Sequence, residues 1–598
     1  MNKNFQVSLS FPDWNNGKVD DTLAMNNMAG FTMFHGQGYI YVTPHDPVES
    51  FRLFINNREL DVRSLENEKT SRIDISEYTR DGMNGLMVLN VKPEGLRQVV
   101  DVDIPYPVVL EGSVEEAGLD PKLIKTVENI VESDVAHGFT SAQIAIVKDG
   151  RLAYRSCWGK LNSYERDGRV KEDSGMVCND TLYDLASNTK MYATNYAIQY
   201  LVSQGLMDIE KPVTDYVGAR FADDVIDLHY EGCEDPGLEG QKEWKRSLKL
   251  SDILRHQAGF PADPRYYYEH YDQARQKKAD VKNLLFSGFD GSDETRQRTL
   301  DCLCKTPLMY RPGTKTVYSD ADYMLLGLII EIVTGMPQDE FLRRTFWEPM
   351  GLTRMCMNPL KHGFKPEDCA ATELNGNSRD GAVGFSTIRL HTLQGEVHDE
   401  KAWCCLGGVA GHAGLFASAA DLAKLASAML TGGYGEHRFF EKSVIDMFAS
   451  PKAPNTGNWG LGWNRQGEME RPWYFGPLSC RNTIGHQGWT GTLSMIDPER
   501  NLVIIILTNK INSRITDTAL NPNRFNGNWY TTSTLGFVAE LLYLGFMGDV
   551  PQETLKALLE DMAAEKHKLV EEAGEPAKDP NHPIRRAYEA LRAAAEKI

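Results

Sequence analysis

The sequence predicts an α+β fold preceded by an N-terminal β-sandwich, and the order of its apolar patterns is the main reason. Two strand patterns, Ala142–Val147 and Leu152–Trp158, precede a long stretch of helical patterns, and strand patterns return at Thr490–Ile496 and Leu502–Leu507. Early and late strands around a helical middle indicate one sheet that joins both ends of this segment. The chain has 598 residues, and at about 150 residues per domain it is long enough for several units.

The region before residue 108 favours the sandwich because it holds short, alternating or aromatic-rich runs. These runs are Gly38–Val42, Ser50–Ile55, Arg72–Ile75 and Leu86–Val91. The pairs Asn56-Asn57, Asp81-Gly82 and Asn84-Gly85 are turn signals that we expect to separate strands. The stretch RIDISEYTRDGMNGLMVLNVKP resembles the sugar-binding jelly-roll domains attached to glycoside hydrolases. Carbohydrate binding is therefore one hypothesis for this region, and a packing or oligomerisation role is at least as well supported.

The remaining boundaries follow from composition and capping signals. Pro105–Pro107 is a candidate linker, which gives a β-sandwich at 1–108 and a mixed α+β unit at 113–545. Asp120 is a candidate cap for a helix that starts at Pro121 and runs to about Ala136. The tail at 549–598 is predicted to be helical and to dock on the body, because it carries one apolar stripe made of Leu555, Leu558, Leu559 and Met562.

Composition and charge narrow the choice of partners. The chain carries 64 Lys and Arg against 83 Asp and Glu, a net charge of −19, which disfavours nucleic acid. No stretch reaches the roughly 18 apolar residues of a membrane helix. The N-terminus lacks an apolar signal core, which predicts a cytoplasmic protein for the sequence as given, or a periplasmic or extracellular one if a signal peptide has been removed. The ten cysteines do not follow the spacing of a zinc site.

The sharpest chemical feature is the tetrad Ser187-Asn188-Thr189-Lys190, an S-x-x-K pattern. Apolar side chains follow it at helical spacing, so Ser187 is expected near a helix N-terminus with Lys190 one turn later on the same face. Backbone N–H groups at such a terminus can stabilise a developing oxyanion, and a nearby lysine can help remove the hydroxyl proton. The tetrad alone is a weak signal, because a capping serine followed by an exposed lysine gives the same letters.

Two further motifs follow in order. Tyr318-Ser319-Asp320 stands just before an apolar helical run, and His486-Gln487-Gly488 leads through Trp489 into a strand. With these three motifs the chain resembles the serine β-lactamase and penicillin-binding protein superfamily, in its class C β-lactamase-like, D-Ala-D-Ala carboxypeptidase and esterase branch. The stretches LRHQAGFP, EPMGLTRM and GGVAGHAGLFASAADLAKL agree with it. GEVHDE followed by GGVAGHAG resembles a bacterial subgroup with cell-wall-fragment amidases and penicillin-binding protein 4B-like proteins.

The resemblance implies a role for each motif. Ser187 would be the acylated nucleophile, Lys190 its partner, and Tyr318 the proton shuttle between Ser187 and the leaving group. Such sites hydrolyse through a covalent acyl-enzyme, without metal or cofactor.

The strand motif implies the substrate contacts. His486 stands where the family's K-T-G motif has lysine, and Gly488 would leave room for substrate along the strand. The backbone N–H of Trp489 would join that of Ser187 in an oxyanion hole. Because the net charge is negative and histidine is only partly charged at neutrality, we expect a neutral His486 and a weak demand for a substrate carboxylate.

Asp320 departs from the family pattern, which usually has asparagine there. An ionised carboxylate cannot donate a hydrogen bond to a substrate carbonyl. It would also hold Lys190 charged and shift the base role toward Tyr318, so ordinary β-lactam recognition is in doubt.

A second cluster contains His398, Asp399, Glu400 and His412. Its spacing is not that of a helical H-E-x-x-H zinc site, and we interpret it as cleft wall or substrate contact.

The main functional hypothesis is a serine hydrolase that cleaves an amide or ester in a peptide-like or acylated-sugar substrate, a cell-wall fragment above all. One alternative is a broad carboxylesterase with little β-lactamase activity. Another is a catalytically weak glycan- or penicillin-binding protein. The expected partner is a small-molecule, peptide or sugar-fragment substrate, and a homo-oligomer is compatible with the sequence.

Overall fold

The N-terminal strands form two antiparallel sheets of four strands each. The structure, a computed structural model, describes residues 6–7, 27–93, 99–451, 459–467, 473–548 and 550–596. The first eight strands are β1 Gln6–Val7, β2 Met28–Met33, β3 Tyr39–Pro44, β4 Ser50–Ile55, β5 Arg58–Leu60, β6 Ser71–Asp74, β7 Gly82–Lys92 and β8 Val100–Asp103. Their sheet orders are β1-β8-β3-β6 and β2-β7-β4-β5. This double-sheet arrangement is that of a jelly roll.

Of the turns predicted in this region, one is formed and another lies inside a strand. Asn56 and Asn57 both have positive φ, 50° and 64°, and form the two-residue turn between β4 and β5, as predicted. Asn84-Gly85, predicted as a turn, is instead inside β7, where Asn84 pairs with Phe31 of β2. The Asn84 amide donates to the carbonyls of Arg80 and Gly82 at 2.8 and 2.9 Å. It therefore stabilises the preceding turn from a position in the strand.

A seven-stranded sheet forms the centre of the following region, in the order β19-β20-β21-β22-β10-β11-β9. Its strands are β9 Leu110–Glu111, β10 Ser141–Lys148, β11 Arg151–Gly159, β19 Asn464–Arg465, β20 Ile484–Gly488, β21 Thr492–Asp497 and β22 Leu502–Thr508. The antiparallel pairing of β10 with β22 joins the early and late parts of the segment. The predicted fold class, α+β with a sheet closed by both ends, is confirmed.

Short strands lie between these elements. They are β12 Tyr183–Asp184, β13 His270–Asp272, β14 Lys277–Lys282, β15 Met355–Met357, β16 Leu415–Ala417, β17 Gly433–Tyr434 and β18 His437–Arg438. The order β12-β16-β15 makes a small sheet, which fixes the start of the segment that leads to Ser187.

Helices cover both faces of the central sheet. They are α1 Pro121–Ala136, α2 Tyr196–Ser203, α3 Thr214–Val217, α4 Arg220–Asp223, α5 Gly237–Ser247, α6 Leu250–Leu254, α7 Asp293–Lys305, α8 Asp320–Thr334, α9 Gln338–Leu342, α10 Glu400–Leu406, α11 Ala419–Thr431, α12 Lys442–Ala449, α13 Leu535–Leu544, α14 Gln552–Ala573 and α15 Pro583–Glu596. Asp120 caps α1 by accepting from the Lys122 N–H at 2.8 Å, as predicted.

The apolar run of β22 shows why both faces need cover. Ile504 and Ile506 pack into a core with α1 and α13, whereas Val503, Ile505 and Leu507 pack into the core that contains α2, α8 and α11. Alternate residues of a strand point to opposite faces, so a strand covered on both sides is apolar throughout. The sheet is therefore a rigid central layer from which β20 reaches the cleft.

The tail packs on the outer side of the α1 and α13 layer. Leu558, Leu559 and Met562 of the predicted stripe are buried there, and Leu555 is partly buried. Among the described residues, none of the helices has both the length and the apolar character needed to cross a bilayer. The division at 108, 113, 545 and 549 stays a prediction.

Candidate active site

Ser187 lies in a tight turn between β12 and a π-helical segment, Lys190–Asn195, that continues into α2. Ala186, just before it, has φ +46°, a left-handed conformation that is uncommon for alanine. The Asp184 side chain accepts from the Ala186 N–H at 2.8 Å and holds this turn. Strained backbone and π-helical turns are both frequent at functional sites. The predicted position of Ser187, next to a helix N-terminus, is what the structure has.

The Ser187 hydroxyl contacts both of its predicted partners. Its Oγ lies 3.0 Å from the Lys190 Nζ and 2.8 Å from the Tyr318 hydroxyl. Lys190 comes from the same turn of helix, whereas Tyr318 comes from the segment before α8, 131 residues later. Both distances are those of hydrogen bonds. The fold therefore brings two motifs that are distant in sequence to one oxygen atom.

Lys190 is fully buried and is held by charge. Its Nζ lies 2.9 Å from Asp320 Oδ1 and 3.1 Å from the His412 carbonyl oxygen. Burial alone would lower the pKa of Lys190, but the Asp320 carboxylate and Tyr318 outweigh it and hold the pKa above its ordinary value. Burial raises the pKa of Tyr318, and the ammonium of Lys190 opposes that shift only in part. The resting site thus contains a lysine ammonium and a neutral tyrosine.

Asp320 is shared between two lysines. Its second oxygen, Oδ2, lies 3.1 Å from the Nζ of Lys401, a residue of α10. Lys401 is 4% exposed and also lies 2.9 Å from Asp263 and 3.4 Å from Asp399. Burial would raise the pKa of Asp320, but Lys190 and then Lys401 hold it below its ordinary value. Asp320 therefore lies between two cations as an ionised carboxylate.

Lys401 was missed by the sequence analysis, although the sequence contained a signal. It directly follows the cluster of His398, Asp399 and Glu400, which was singled out as cleft wall. An isolated lysine after acidic residues at the start of a helix is usually solvent-exposed, and only the tertiary fold brings three carboxylates around this one.

The members of that cluster are held by linked polar contacts, because Arg379 bridges Glu373 and Glu400 and Asp399 contacts both His412 and Lys401. His412 Nε2 lies 2.8 Å from Asp399, which also caps α10 by accepting from the Ala402 N–H. His398 Nε2 lies 2.9 Å from Glu373, and Glu400 pairs with Arg379 at 3.3 Å. Within the described ranges, no group of three His, Cys, Asp or Glu side chains is arranged to hold a metal ion.

The strand motif lies beside the nucleophile, and Gly488 allows the close approach. A Cβ at this position would come within 2.4 Å of the Leu185 carbonyl oxygen. The hydroxyls of Thr490 and Thr492 donate to the carbonyls of Asp184 and Leu185 at 2.7 and 3.0 Å. These contacts bring the backbone that follows Gly488 to the turn of Ser187.

The side chains next to Gly488 line the cleft. The His486 ring is 6.1 Å from the Tyr318 ring, and its Nδ1 lies 2.7 Å from the Gln487 carbonyl oxygen. The Trp489 ring stacks on His398 with centroids 4.9 Å apart. Arg379 lies 4.7 Å from the centre of the Trp489 ring.

A buried pair behind Tyr318 was also missed. His256 Nδ1 lies 2.8 Å from Asp322 Oδ2, and the His256 ring is 4.6 Å from the Tyr318 ring. Burial moves the pKa of His256 well below its usual value and that of Asp322 well above its own, which favours the neutral form of each. The stretch LRHQAGFP contained the signal for His256, because it was noted as family-like. The pair supports the aromatic face of Tyr318 without adding charge.

Two cavities meet at Ser187 and Tyr318. We call the first the aromatic cavity; it has a volume of about 430 Å³. It is lined by Ser187, Tyr318, Trp459, Asn464, Tyr474, His486, Gln487, Gly488, Trp489, Lys510, Ile511, Asn523, Phe525 and Asn528.

The second, the charged cavity, has a volume of about 500 Å³. Apart from Ser187, Tyr318, Trp489 and Asn523, its main lining groups are charged or imidazole side chains: Asp263, Arg265, Asp320, Arg379, His398, Asp399, Glu400, Lys401 and His412. The two cavities offer different chemistry on either side of one hydroxyl.

Comparisons with known proteins identify the family. The beta-lactamase family profile matches residues 126–527. A protein of Escherichia coli K12 named "Putative D-alanyl-D-alanine carboxypeptidase" is 41% identical over 440 residues, 73% of this chain and 94% of its own length. A relative of the same name from Salmonella typhimurium is 38% identical over 442 residues, 74% of this chain and 95% of its own.

A solved structure has the same fold at low sequence identity. Simvastatin synthase from Aspergillus terreus superposes with a TM-score of 0.50 at 17% identity, covering 71% of this chain and 100% of its own. The family profile covers more than half of the chain, and the relatives are matched over nearly their whole length. This chain belongs to the beta-lactamase family and is a serine hydrolase.

Proposed function

We propose that Ser187 is the nucleophile of an acyl-enzyme hydrolase that removes the terminal residue from D-alanyl-D-alanine-type peptides or related amides. The observation that carries the assignment is the position of the Ser187 Oγ, within hydrogen-bond distance of both Lys190 and Tyr318. Hydrolysis through a serine ester needs an activated hydroxyl, a proton carrier and an oxyanion site, and these residues supply the first two.

The protonation states of Lys190 and Tyr318 identify the catalytically competent form of the enzyme. With Lys190 charged and Tyr318 neutral, neither group can accept the Ser187 proton. Loss of one proton gives either a lysine ammonium beside a tyrosine phenolate or a neutral lysine beside a phenol, and the two forms hold the same number of protons. The Lys190 Nζ is 4.8 Å from the centre of the Tyr318 ring, close enough to favour the phenolate form. Because the pKa of each group is raised above its ordinary value of 10.5 or 10.0, activity should rise with pH in the alkaline range.

The steps follow from this state. Tyr318 accepts the Ser187 proton as Oγ attacks the carbonyl carbon, and the backbone N–H groups of Ser187 and Trp489 stabilise the oxyanion. Tyr318 then gives the proton to the leaving amine as the C–N bond breaks, which leaves an ester on Ser187. In the second half Tyr318 takes a proton from water, the hydroxide attacks the ester, and the proton returns to Ser187. Positioning by Lys190 lowers the barrier in both halves.

The substrate class rests on the relatives and on the cleft. The two curated relatives bear the name of carboxypeptidases that act on D-alanyl-D-alanine. The charged cavity would bind the acyl side of a polar peptide, because both acidic and basic side chains line it. The aromatic cavity would take a small leaving group next to β20. An esterase with no amide activity is the competing function.

The test combines trapping and turnover. A serine-reactive fluorophosphonate should add one adduct by intact mass, located at Ser187 by peptide mapping. The wild type should release D-alanine from an acyl-D-alanyl-D-alanine peptide and not from its L,L isomer. Hydrolysis of a p-nitrophenyl ester without release of D-alanine would support the esterase instead. Labelling of a serine other than Ser187 would refute the assignment of the nucleophile.

A further inference from the structure

Residues 523–530, which we call the cleft loop, lie between the active-site cleft and the C-terminal helices. On one side of the loop, Asn523, Phe525 and Asn528 line the aromatic cavity. The Phe525 ring meets the Trp489 ring at a steep angle with centroids 5.5 Å apart, and the Asn528 side chain accepts from the Phe525 N–H at 2.9 Å. The cleft loop is therefore part of the cavity wall.

Other residues of the cleft loop contact α14, α15 and the segment between them. Trp529 is 4% exposed and packs in one apolar cluster with Ala577 and Ile584. Arg524 lies 3.5 Å from Glu572 of α14 and 4.9 Å from the centre of the Trp529 ring. Residues that face the cleft and residues that face the tail thus alternate along a few positions of the loop.

Lys566 of α14 makes the most deeply buried of these contacts. Its side chain is fully buried, and its Nζ donates to the Tyr530 carbonyl oxygen and to the Thr534 hydroxyl, at 2.8 Å each. A buried polar group costs folding free energy unless it is hydrogen-bonded, so Lys566 favours the arrangement that keeps both acceptors in place. The end of the cleft loop is therefore fixed to α14 through its backbone.

The tail is an addition to the catalytic fold. The beta-lactamase profile ends at residue 527, and α14 and α15 lie beyond the part of the chain that it matches. A contact that holds an active-site loop from outside this part of the fold can change specificity without changing the catalytic groups.

We propose that α14 and α15 position the cleft loop and so determine which leaving groups the aromatic cavity accepts, with Lys566 as a positioning residue. This inference rests on the proposed function, since that function places the leaving group in the aromatic cavity. Because three residues of the short loop face the cleft and three contact the tail, a displacement on the tail side moves the cavity wall.

The test compares two acetate esters that form the same acetyl-enzyme and differ only in the leaving group. The leaving group of p-nitrophenyl acetate is large and aromatic, and that of trifluoroethyl acetate is small. Damage to the catalytic groups lowers kcat/KM for both esters, whereas a displaced wall lowers it mainly for the large one. Lys566→Met keeps an unbranched stem and removes both hydrogen bonds. In this variant the ratio of kcat/KM for the large ester to that for the small ester should fall about fivefold or more.

A surface variant tests the same contact without a buried change. Glu572→Arg places a second cation beside Arg524 and should lower the ratio about two- to threefold. Glu571→Arg is the matched control, because it makes the same change of charge one residue earlier, where Glu571 lies 3.8 Å from His567. The control should keep the wild-type ratio. Hydrogen exchange of the cleft loop, measured by mass spectrometry, should become faster in both test variants and stay unchanged in the control.

The outcomes separate this inference from the proposed function. An unchanged ratio in Lys566→Met, or an equal fall for the two esters, would overturn the role of the tail in leaving-group selection. If that variant does not fold, an unchanged ratio in Glu572→Arg does the same. Hydrolysis of both esters that persists in Ser187→Ala would instead contradict the proposed function.

Discussion

The two cavities beside Ser187 are built on opposite electrostatic principles. In the charged cavity, Lys401 has three carboxylate neighbours and Asp320 has two ammonium neighbours, so nearly every charge is neutralised within the protein. In the aromatic cavity, Lys510 faces mostly neutral side chains. Buried pairs mainly fix geometry, because breaking one leaves an uncompensated charge. The charge pairs of the first cavity therefore fix the catalytic groups, whereas the walls of the second are mostly neutral.

The largest loss of activity is expected from a substitution at Ser187, where the two cavities meet. Ser187→Ala removes the hydroxyl that contacts both Lys190 and Tyr318, so ester hydrolysis should fall by about a thousandfold or more. The melting temperature should hardly change, since little packing is lost. Steady-state kinetics and calorimetry check both points. Ser113→Ala, which affects neither cavity, is the control, and residual activity above a tenth of wild type would refute the nucleophile.

The second prediction tests whether the ion pairs of the charged cavity hold the catalytic groups in place. Lys401→Met leaves Asp320, Asp263 and Asp399 without their shared cation, so unfolding free energy should fall by about 3–5 kcal/mol. Activity should fall as well, because Asp320 then interacts with Lys190 alone and holds it more firmly charged. Chemical denaturation compares this variant with Lys510→Met, which removes no ion pair seen among the described residues and should lose less than about 1 kcal/mol. Equal losses in the two variants would contradict the contrast between the cavities.

A smaller effect is expected at Asp320. Asp320→Asn removes the carboxylate that raises the pKa of Lys190, so that pKa should fall and the alkaline rise in kcat/KM should move to lower pH. The new amide can also donate to a β-lactam carbonyl, and acylation by a fluorescent penicillin should become about tenfold faster, or 1.4 kcal/mol. Stopped-flow acylation and a pH profile from 6 to 10 measure the two effects. An unchanged profile would mean that Asp320 does not set the proton affinity of Lys190.

The smallest effect on activity is expected at Glu540, which supports the aromatic cavity from behind. Its buried carboxyl accepts from the Leu478 N–H at 3.0 Å, in the loop that carries Tyr474, and burial raises its pKa to about 8. Because the folded pKa lies above the unfolded one, stability is full below about pH 4.5 and is lost as pH rises toward 8. Glu540→Gln does not titrate, so its stability relative to wild type should increase by about 3 kcal/mol between pH 5 and pH 8. Guanidinium unfolding at both values checks this, and a constant difference would contradict it.

Much of the fold could be predicted from local sequence patterns. The helix from Pro121 to Ala136 could be predicted with its cap because a capping aspartate followed by proline acts within a few residues. The turn at Asn56-Asn57 was predictable for the same reason. Asn84-Gly85 was not, because the same dipeptide is compatible with a strand when the amide bonds a neighbouring turn. The strand pairing at β1, β2 and β8 depends on distant partners and gave little local signal.

The candidate site, like the fold, could be predicted from the sequence only in part. The sequence by itself determined the three motifs with Ser187, Lys190, Tyr318 and His486, because each combines a chemical group with a short, recognisable spacing. Only the tertiary structure decided that Asp320 lies between two lysines and that, among the described residues, no acid lies within ion-pair distance of Lys510. Charge compensation depends on which side chains meet in space across hundreds of residues. No local sequence pattern encodes those distances, and so the charge pairing comes from the fold.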